Sequence, residues 1–333
     1  MKRKLFLLSI ACLCLVFALC GCGSKSDSSG DGGADTTTSA ELTPESAQAD
    51  VAAYFSSHSS ELLTAGDGSA DWVVIAYARS DCKAPDKFFD KFYALLEQQV
   101  TEAQGVLDDT KYTVYSRSVL ALTAMGKDPH NVGGYDLLEP LADVDTVASQ
   151  GLNGSIWALL ALNSGHYTLE SRPDAAESYL SLILNGQLDN GGFALGEGAD
   201  ADIDITAMAL QALAPYQDRE EVSAAIDRGL TYLSESQSDD GSYLYYGSAN
   251  AESICQVITA VSSLGIGIDD DRFVKNGNTL FDALMEYRLD DGSYFHTAEM
   301  KETNLMASEQ AFYALTALIR NEKGESALYA MAD

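Results

Sequence analysis

Three short stretches decide the fold: QLDNGGF at 187–193, QSDDGSY at 237–243 and RLDDGSY at 288–294. Each begins with Gln or Arg, carries glycine at its fifth position (Gly191, Gly241, Gly292) and ends on an aromatic residue (Phe193, Tyr243, Tyr294). The glycines stand 50 and 51 residues apart. Self-similarity at a fixed period marks a repeat architecture, in which each unit buries its neighbour's apolar face. Glycine after a helix can take the left-handed cap conformation. The closing aromatic can then pack beneath the element that follows.

Outward from these loops the pattern is helical and of two kinds. Amphipathic segments with a charged face run over about 45–64, 86–103, 135–148, 172–186, 218–236 and 271–287. Segments apolar nearly all round run from Trp72 to Arg79, Ser118 to Met125, Ser155 to Leu162, Thr206 to Ala214, Ser253 to Leu264 and Ala311 to Arg320. A helix apolar on every face is buried on every side, and no strand-like alternation is sustained anywhere. Six such helices, each preceded by an amphipathic one, predict an all-α fold: an (α/α)6 toroid of six inner and six outer helices. The frequent alanines of the inner set let helix axes approach closely. Residues 44–333 are expected to form this single domain.

With 46% apolar residues the chain can bury a sizeable core. It carries 20 Lys and Arg against 50 Asp and Glu, a net charge of −30. No basic stripe is available to displace counterions, so nucleic acid is excluded as a partner, as are anionic lipid headgroups.

The N-terminus, MKRKLFLLSIACLCLVFALCGCGS, joins a basic start to an apolar run too short to span a bilayer, which fits a signal peptide over residues 1–21. Leu19-Cys20-Gly21-Cys22 resembles the bacterial lipobox, which places a lipid on Cys22 and the protein, tethered, on the extracytoplasmic face of a bacterial cell membrane. Residues 22–43, rich in Gly, Ser, Thr and Asp, read as a flexible stalk. Of six cysteines only Cys82 and Cys255 then remain in the folded part, too few for a disulfide framework, and a toroid puts them at opposite rims.

The Gln, Gly and aromatic spacing resembles the prenyltransferase and squalene-cyclase repeat over roughly residues 66–325, a family built on the α/α toroid. Gly126-Lys-Asp-Pro-His-Asn-Val-Gly-Gly-Tyr135, Asn153-Gly-Ser-Ile-Trp-Ala-Leu, Asp204-Ile-Thr-Ala-Met-Ala-Leu-Gln-Ala-Leu and Ser308-Glu-Gln-Ala resemble its exported bacterial branch, which is similar to the α-domain of transcobalamin and intrinsic factor.

Inner helices that all run one way gather their N-termini at one rim. Its first turns and the residues just before them are polar: Asp71; Tyr115 and Ser116; Gln150 and Asn153; Asp200, Asp202, Asp204 and Thr206; Asn250, Glu252 and Ser253; Ser308, Glu309 and Gln310. Helix capping and compensation of six parallel macrodipoles account for part of this set. The transcobalamin resemblance implies a further role. There, a rim Asp four residues before a Met faces the corrinoid's amides, and Asp204 stands four before Met208. The same resemblance implies rim contacts at Tyr115, Gln150, Asn153 and Gln256.

The same residues offer enzymatic alternatives on this fold. Asp202-Ile-Asp204-Ile205-Thr206-Ala207 resembles the D-x-D-D-T-A of cyclases that protonate an alkene, with Asp204 and Asp202 as the acids, but Ile205 replaces the last Asp. Such an acid needs a raised pKa and a dry aromatic chamber. Protein prenyltransferases hold zinc through Asp, Cys and His, and Asp240-Gly241-Ser242-Tyr243 lacks the thiolate while His58, His130, His166 and His296 are scattered, so no metal is expected. A glycosidase needs two opposed carboxylates. Asp202, Asp204, Glu252 and Glu309 could supply them, with Tyr243, Tyr245, Tyr246 or Trp157 stacking on a sugar.

The expectation is a non-catalytic ligand-binding toroid with no resident cofactor and a corrinoid as candidate ligand. The ligand residues are Asp202, Asp204, Tyr115, Gln150, Asn153, Glu252, Gln256, Glu309 and Gln310. Corrinoid carriers close a β domain over the toroid; none follows here before Asp333, so a separate lid chain is expected. The alternatives are an enzyme on this fold and a surface module that contacts another protein.

Overall fold

The computed structural model describes residues 42–65, 68–245 and 247–332. The expected signal peptide, Cys22, nearly all of the stalk and Tyr246 lie outside the described residues. These hold thirteen α-helices and one short hairpin. The inner helices are α3 (Ser69–Arg79), α5 (Thr113–Ala124), α7 (Leu152–Ser164), α9 (Ile203–Leu213), α11 (Ala251–Ser263) and α13 (Leu305–Glu322). Around them lie α1 (Pro44–Ser57) with α2 (Ser59–Ala65), α4 (Phe88–Glu102), α6 (Val144–Ala148), α8 (Ala175–Asn185), α10 (Glu220–Ser236) and α12 (Leu280–Met285). Each inner helix packs against the next, and α13 packs back onto α3, closing the ring. The toroid read from the sequence is the fold.

Burial explains the inner ring. In α11 every residue from Ala251 to Ser262 is buried, and in α7 every residue from Gly154 to Leu162. Full burial of each Val, Leu or Ile side chain contributes about 1.5–3 kcal/mol, so the ring is the main stabilising feature. The helices begin before the apolar stretches because polar caps start them. Asp202, Asn250 and Asn304 accept hydrogen bonds from the backbone N–H three residues on, at Ile205, Ser253 and Ala307.

Two outer helices are shorter than their amphipathic pattern. Over 135–148, Pro140 sits in a 3-10 turn (Glu139–Ala142), and Asp143 caps only the five residues of α6. Over 271–287, Lys275 and Asn278 pair across a tight turn, and the Thr279–Asp282 capping box starts a six-residue α12.

The three repeat loops share one backbone turn and one closing aromatic position. Gly191, Gly241 and Gly292 have φ of 86°, 87° and 85°, so each takes the left-handed conformation that glycine adopts without strain. Gln187 Nε2 donates to the Gly191 and Ala225 carbonyls at 2.8 Å each, and Gln237 Nε2 to Gly241 and Phe273 at 3.0 and 3.2 Å. In the third loop Arg288 instead pairs with Asp50 of α1, and a Cβ on Gly292 would lie 2.5 Å from the Asp50 carbonyl oxygen. The third loop thereby seals the outer ring onto the first helix. Phe193, Tyr243 and Tyr294 are fully buried beneath the inner helices that follow.

The segment after α13 lies across the C-terminal end of the ring. Arg79 holds it through the carbonyls of Leu328, Ala327 and Ala330 and the Ser326 hydroxyl, at 2.8–3.1 Å. The Met331 N–H donates to the Ser164 carbonyl at 3.0 Å. This tail closes one end, and the N-terminal mouth of the inner ring remains.

Candidate functional site

Aromatic rings form the floor of the mouth. Trp72 of α3 and Trp157 of α7 have centroids 4.9 Å apart although their helices are not neighbours in the ring, so they meet across its axis. Tyr313 of α13 lies 5.9 Å from Trp72, and Tyr329 of the tail 6.0 Å from Trp157. Tyr313, Trp157 and Tyr329 are buried. The sequence reading passed over Trp72, Tyr313 and Tyr329 because a helix apolar on every face gives no sign of which face meets the axis.

Above this floor the first turns supply acids. Asp204, on α9, accepts a hydrogen bond from the Ser253 hydroxyl while its Oδ1 has no hydrogen-bond partner. Burial, reinforced by the charges of Asp202 and Glu252, raises its carboxyl to about 6. Glu252, on α11, is 4% exposed; His296 Nδ1 meets its Oε2 at 2.8 Å and its Oε1 has no partner. Its pKa is also raised by burial, with His296 opposing. Glu309 of α13 and Trp72 line an open hollow of about 350 Å³ at this rim, together with Gly68, Ser69, Asn304, Leu305 and Met306.

The remaining expected residues fall into two groups. Asn153 Oδ1, Gln150 Nε2 and Ser116 Oγ are buried at the mouth without a hydrogen-bond partner; the Gln150 Oε1 accepts from the Thr113 N–H at 3.4 Å. The others are held by the protein. Tyr115 is 3% exposed and its hydroxyl accepts from the Leu107 N–H at 2.9 Å. Asp202 caps α9. Gln256 Nε2 donates to Gln310 Oε1 at 3.0 Å and to the Tyr313 hydroxyl at 2.7 Å, and Gln211 Nε2 donates to Gln256 Oε1 at 3.1 Å. This amide chain ties α9, α11 and α13 together.

Other features of the rim limit its chemistry. Asp71 pairs with Arg117 at 3.0 Å, and no other Lys or Arg stands on the first turns of the inner helices. Burial, with Glu252 and Asp204 nearby, pushes the Cys255 thiol well above its usual range, so it is no nucleophile. Tyr243 is core, Tyr245 is exposed on β1 (Leu244–Tyr245) of the hairpin with β2 (Ser248–Ala249), and Cys82 and Cys255 are both free. Among the described residues no three His, Cys, Asp or Glu side chains gather so as to hold a metal ion.

No protein-family model matches the chain, and no curated protein matches it in sequence. Solved structures do match in fold. The protein geranylgeranyltransferase-I of Candida albicans, complexed with GGPP, is 12% identical with a TM-score of 0.58, over 85% of this chain and 95% of that one. An unsaturated glucuronyl hydrolase from Bacillus sp. GL1, responsible for glycosaminoglycan degradation, is 11% identical with a TM-score of 0.57, over 86% and 97%. The ent-copalyl diphosphate synthase of Streptomyces platensis is 17% identical with a TM-score of 0.51 over 77% of this chain, which spans 50% of that enzyme's length. Three different activities on one scaffold show the toroid and leave function to the site.

Proposed function

We propose that the mouth binds an uncharged, amide- or hydroxyl-rich small molecule without transforming it, on a chain tethered through Cys22 to the extracytoplasmic membrane face. One observation carries this reading: Ser116, Gln150, Asn153, Asp204 and Glu252, on or just before the first turns of four successive inner helices, each leave a buried polar atom without a partner. A buried donor or acceptor left unmade costs about 1–3 kcal/mol. A ligand that supplies the missing partners recovers that cost, and the indole and phenol rings beneath suit a flat apolar face. The lone first-turn Arg117 is committed to Asp71, which disfavours phosphates. A corrinoid, neutral at its amide side chains, is the specific ligand proposed, with a separate β-domain chain as its lid.

The test is calorimetry with cobinamide on the full chain. One-to-one heat with affinity in the micromolar to millimolar range, weakened about tenfold or more in Asp204→Ala, supports the reading. No saturable heat for either form overturns it.

A second reading rests on Asp204 itself. A buried carboxyl that titrates at about 6, with one oxygen unpartnered, is suited to general-acid catalysis near neutral pH. Turnover of an isoprenoid or an unsaturated glycan, lost in Asp204→Asn, would replace binding with catalysis.

A further inference from the structure

Behind the aromatic floor, at the end of the ring that the tail covers, lies a chamber of about 400 Å³. It is bounded by the C-terminal ends of α7 and α9, by Ser263 at the end of α11, and by Ala327, Tyr329 and Ala330 of the tail. Tyr329 separates it from the mouth, with its ring edge-on to Trp157. In a chain of net charge −30, no Asp, Glu, Lys or Arg lines it. Its one imidazole, His166, is solvent-exposed, so no buried charge selects the occupant.

Three of its polar lining groups are partly unused. Gln211 is 2% exposed; its Nε2 is held by Gln256, and its Oε1 has no partner. Asn163 accepts the Tyr216 hydroxyl on Oδ1 at 2.9 Å, and its Nδ2 has no partner. The buried Tyr329 hydroxyl has none either. One acceptor, one donor and one hydroxyl thus line the cavity beside the apolar Leu160, Ala214 and Pro215, and His166, Tyr216, Gln217 and Ser263 complete its wall. The carbonyl ends of three helices add negative partial charge, which favours a hydrogen-bond donor on the occupant.

We propose that this chamber is a second small-molecule site, for an uncharged planar compound bearing a primary amide or an equivalent donor and acceptor edge. The amide N–H would meet Gln211 Oε1 and its carbonyl Asn163 Nδ2, while the planar body packs against Tyr329 and Pro215. A few convergent polar groups in a mostly apolar cavity of this size are what small-molecule sites share. The alternative is a chamber occupied by solvent alone, for which the volume is ample.

The probe is 2-naphthamide, titrated calorimetrically into the full chain. Ala330 is exposed at the lip, so Ala330→Trp fills the chamber from the tail without disturbing a packed residue. Gln211→Met removes the unpartnered oxygen. Saturable one-to-one binding, weakened about tenfold or more in Ala330→Trp, is the expected result, with a similar loss in Gln211→Met where that variant folds. No saturable binding up to about 5 mM, or binding that Ala330→Trp leaves unchanged, overturns the proposal.

Discussion

At the repeat loops, Gln187 and Gln237 each donate two hydrogen bonds to carbonyls of separate segments; at the mouth, Asn153, Asp204 and Glu252 each keep an oxygen without a donor. The residue types are alike and the use is opposite. Polar groups that recur with the period are mostly consumed by the fold: the N–H groups of the loop glutamines, the caps Asp202, Asn250 and Asn304, and the Thr206 and Ser308 hydroxyls that accept from Phe193 and Tyr294 at 2.8 and 2.9 Å, with Gln237 Oε1, buried without a partner, as an exception. Two residues after those caps stand Asp204, Glu252 and Met306, and there the recurrence ends. Loop chemistry holds the ring together, while mouth chemistry is available to a ligand.

The largest effect expected from this contrast is at the seam. Gly292→Ala would set a Cβ 2.5 Å from a backbone oxygen at a φ of 85°, whereas Gly241→Ala would come no nearer than 3.2 Å to a neighbour, the Ala283 Cβ, with its nearest backbone oxygen, that of Thr279, at 3.5 Å. Both substitutions strain a left-handed residue, but only the first must also move α1. Urea denaturation should show a loss of about 3–4 kcal/mol for Gly292→Ala against about 1–2 for Gly241→Ala. Equal losses would mean that the third loop does not close the ring through this contact.

The mouth should respond in the other direction. Folding raises the Asp204 carboxyl from 3.8 to about 6, so the folded protein holds that proton more tightly than the unfolded chain. Its contribution is most favourable below about pH 4 and is lost as pH rises through about 6. The full shift corresponds to roughly 3 kcal/mol. Asp204→Asn should therefore stabilise the protein by about 1–3 kcal/mol at neutral pH and remove this slope, while weakening the ligand. Acidic groups held low by partners, such as Glu177 beside Arg219 and Asp270 beside Arg272, give the opposite slope at lower pH, so the informative quantity is wild type minus variant. A variant less stable than wild type at neutral pH would make Asp204 a structural residue like the caps.

The same contrast explains what could be read from the sequence. The inner helices were legible because their apolar surface is continuous, and the loops because Gly and aromatic positions recur. Outer segments 135–148 and 271–287 were overextended because leucine and valine spacing is helical through both, while Pro140 and the Lys275–Asn278 turn restart the chain. Asp204, Glu252 and Asn153 were legible as rim residues from the direction of the inner helices alone. Tyr115, whose hydroxyl serves the Leu107 backbone, looked the same in sequence, because nothing local says whether a polar atom already has a partner. The tail and its Arg79 strap were not legible: Ser326, Ala327, Leu328 and Ala330 bond to Arg79 more than 240 positions away, and no periodicity encodes them.

The smallest effect tests whether an unpartnered polar atom is by itself a mark of function. Tyr243 and Tyr294 are fully buried at the closing position of their loops, and neither hydroxyl has a hydrogen-bond partner. Tyr179, equally buried, donates to the Leu141 carbonyl at 2.6 Å. If the ring of Tyr243 serves only to fill the space beneath α11, removing its hydroxyl deletes an unmet polar atom and breaks no bond. Tyr243→Phe should then lie within about 0.5 kcal/mol of wild type or slightly above it, while Tyr179→Phe loses about 1–1.5 kcal/mol, both by urea denaturation. Neither should alter cobinamide binding. A loss of affinity in Tyr243→Phe would extend the ligand site beneath the rim into the repeat loops, and the division between a consumed repeat and an available mouth would fail at that residue.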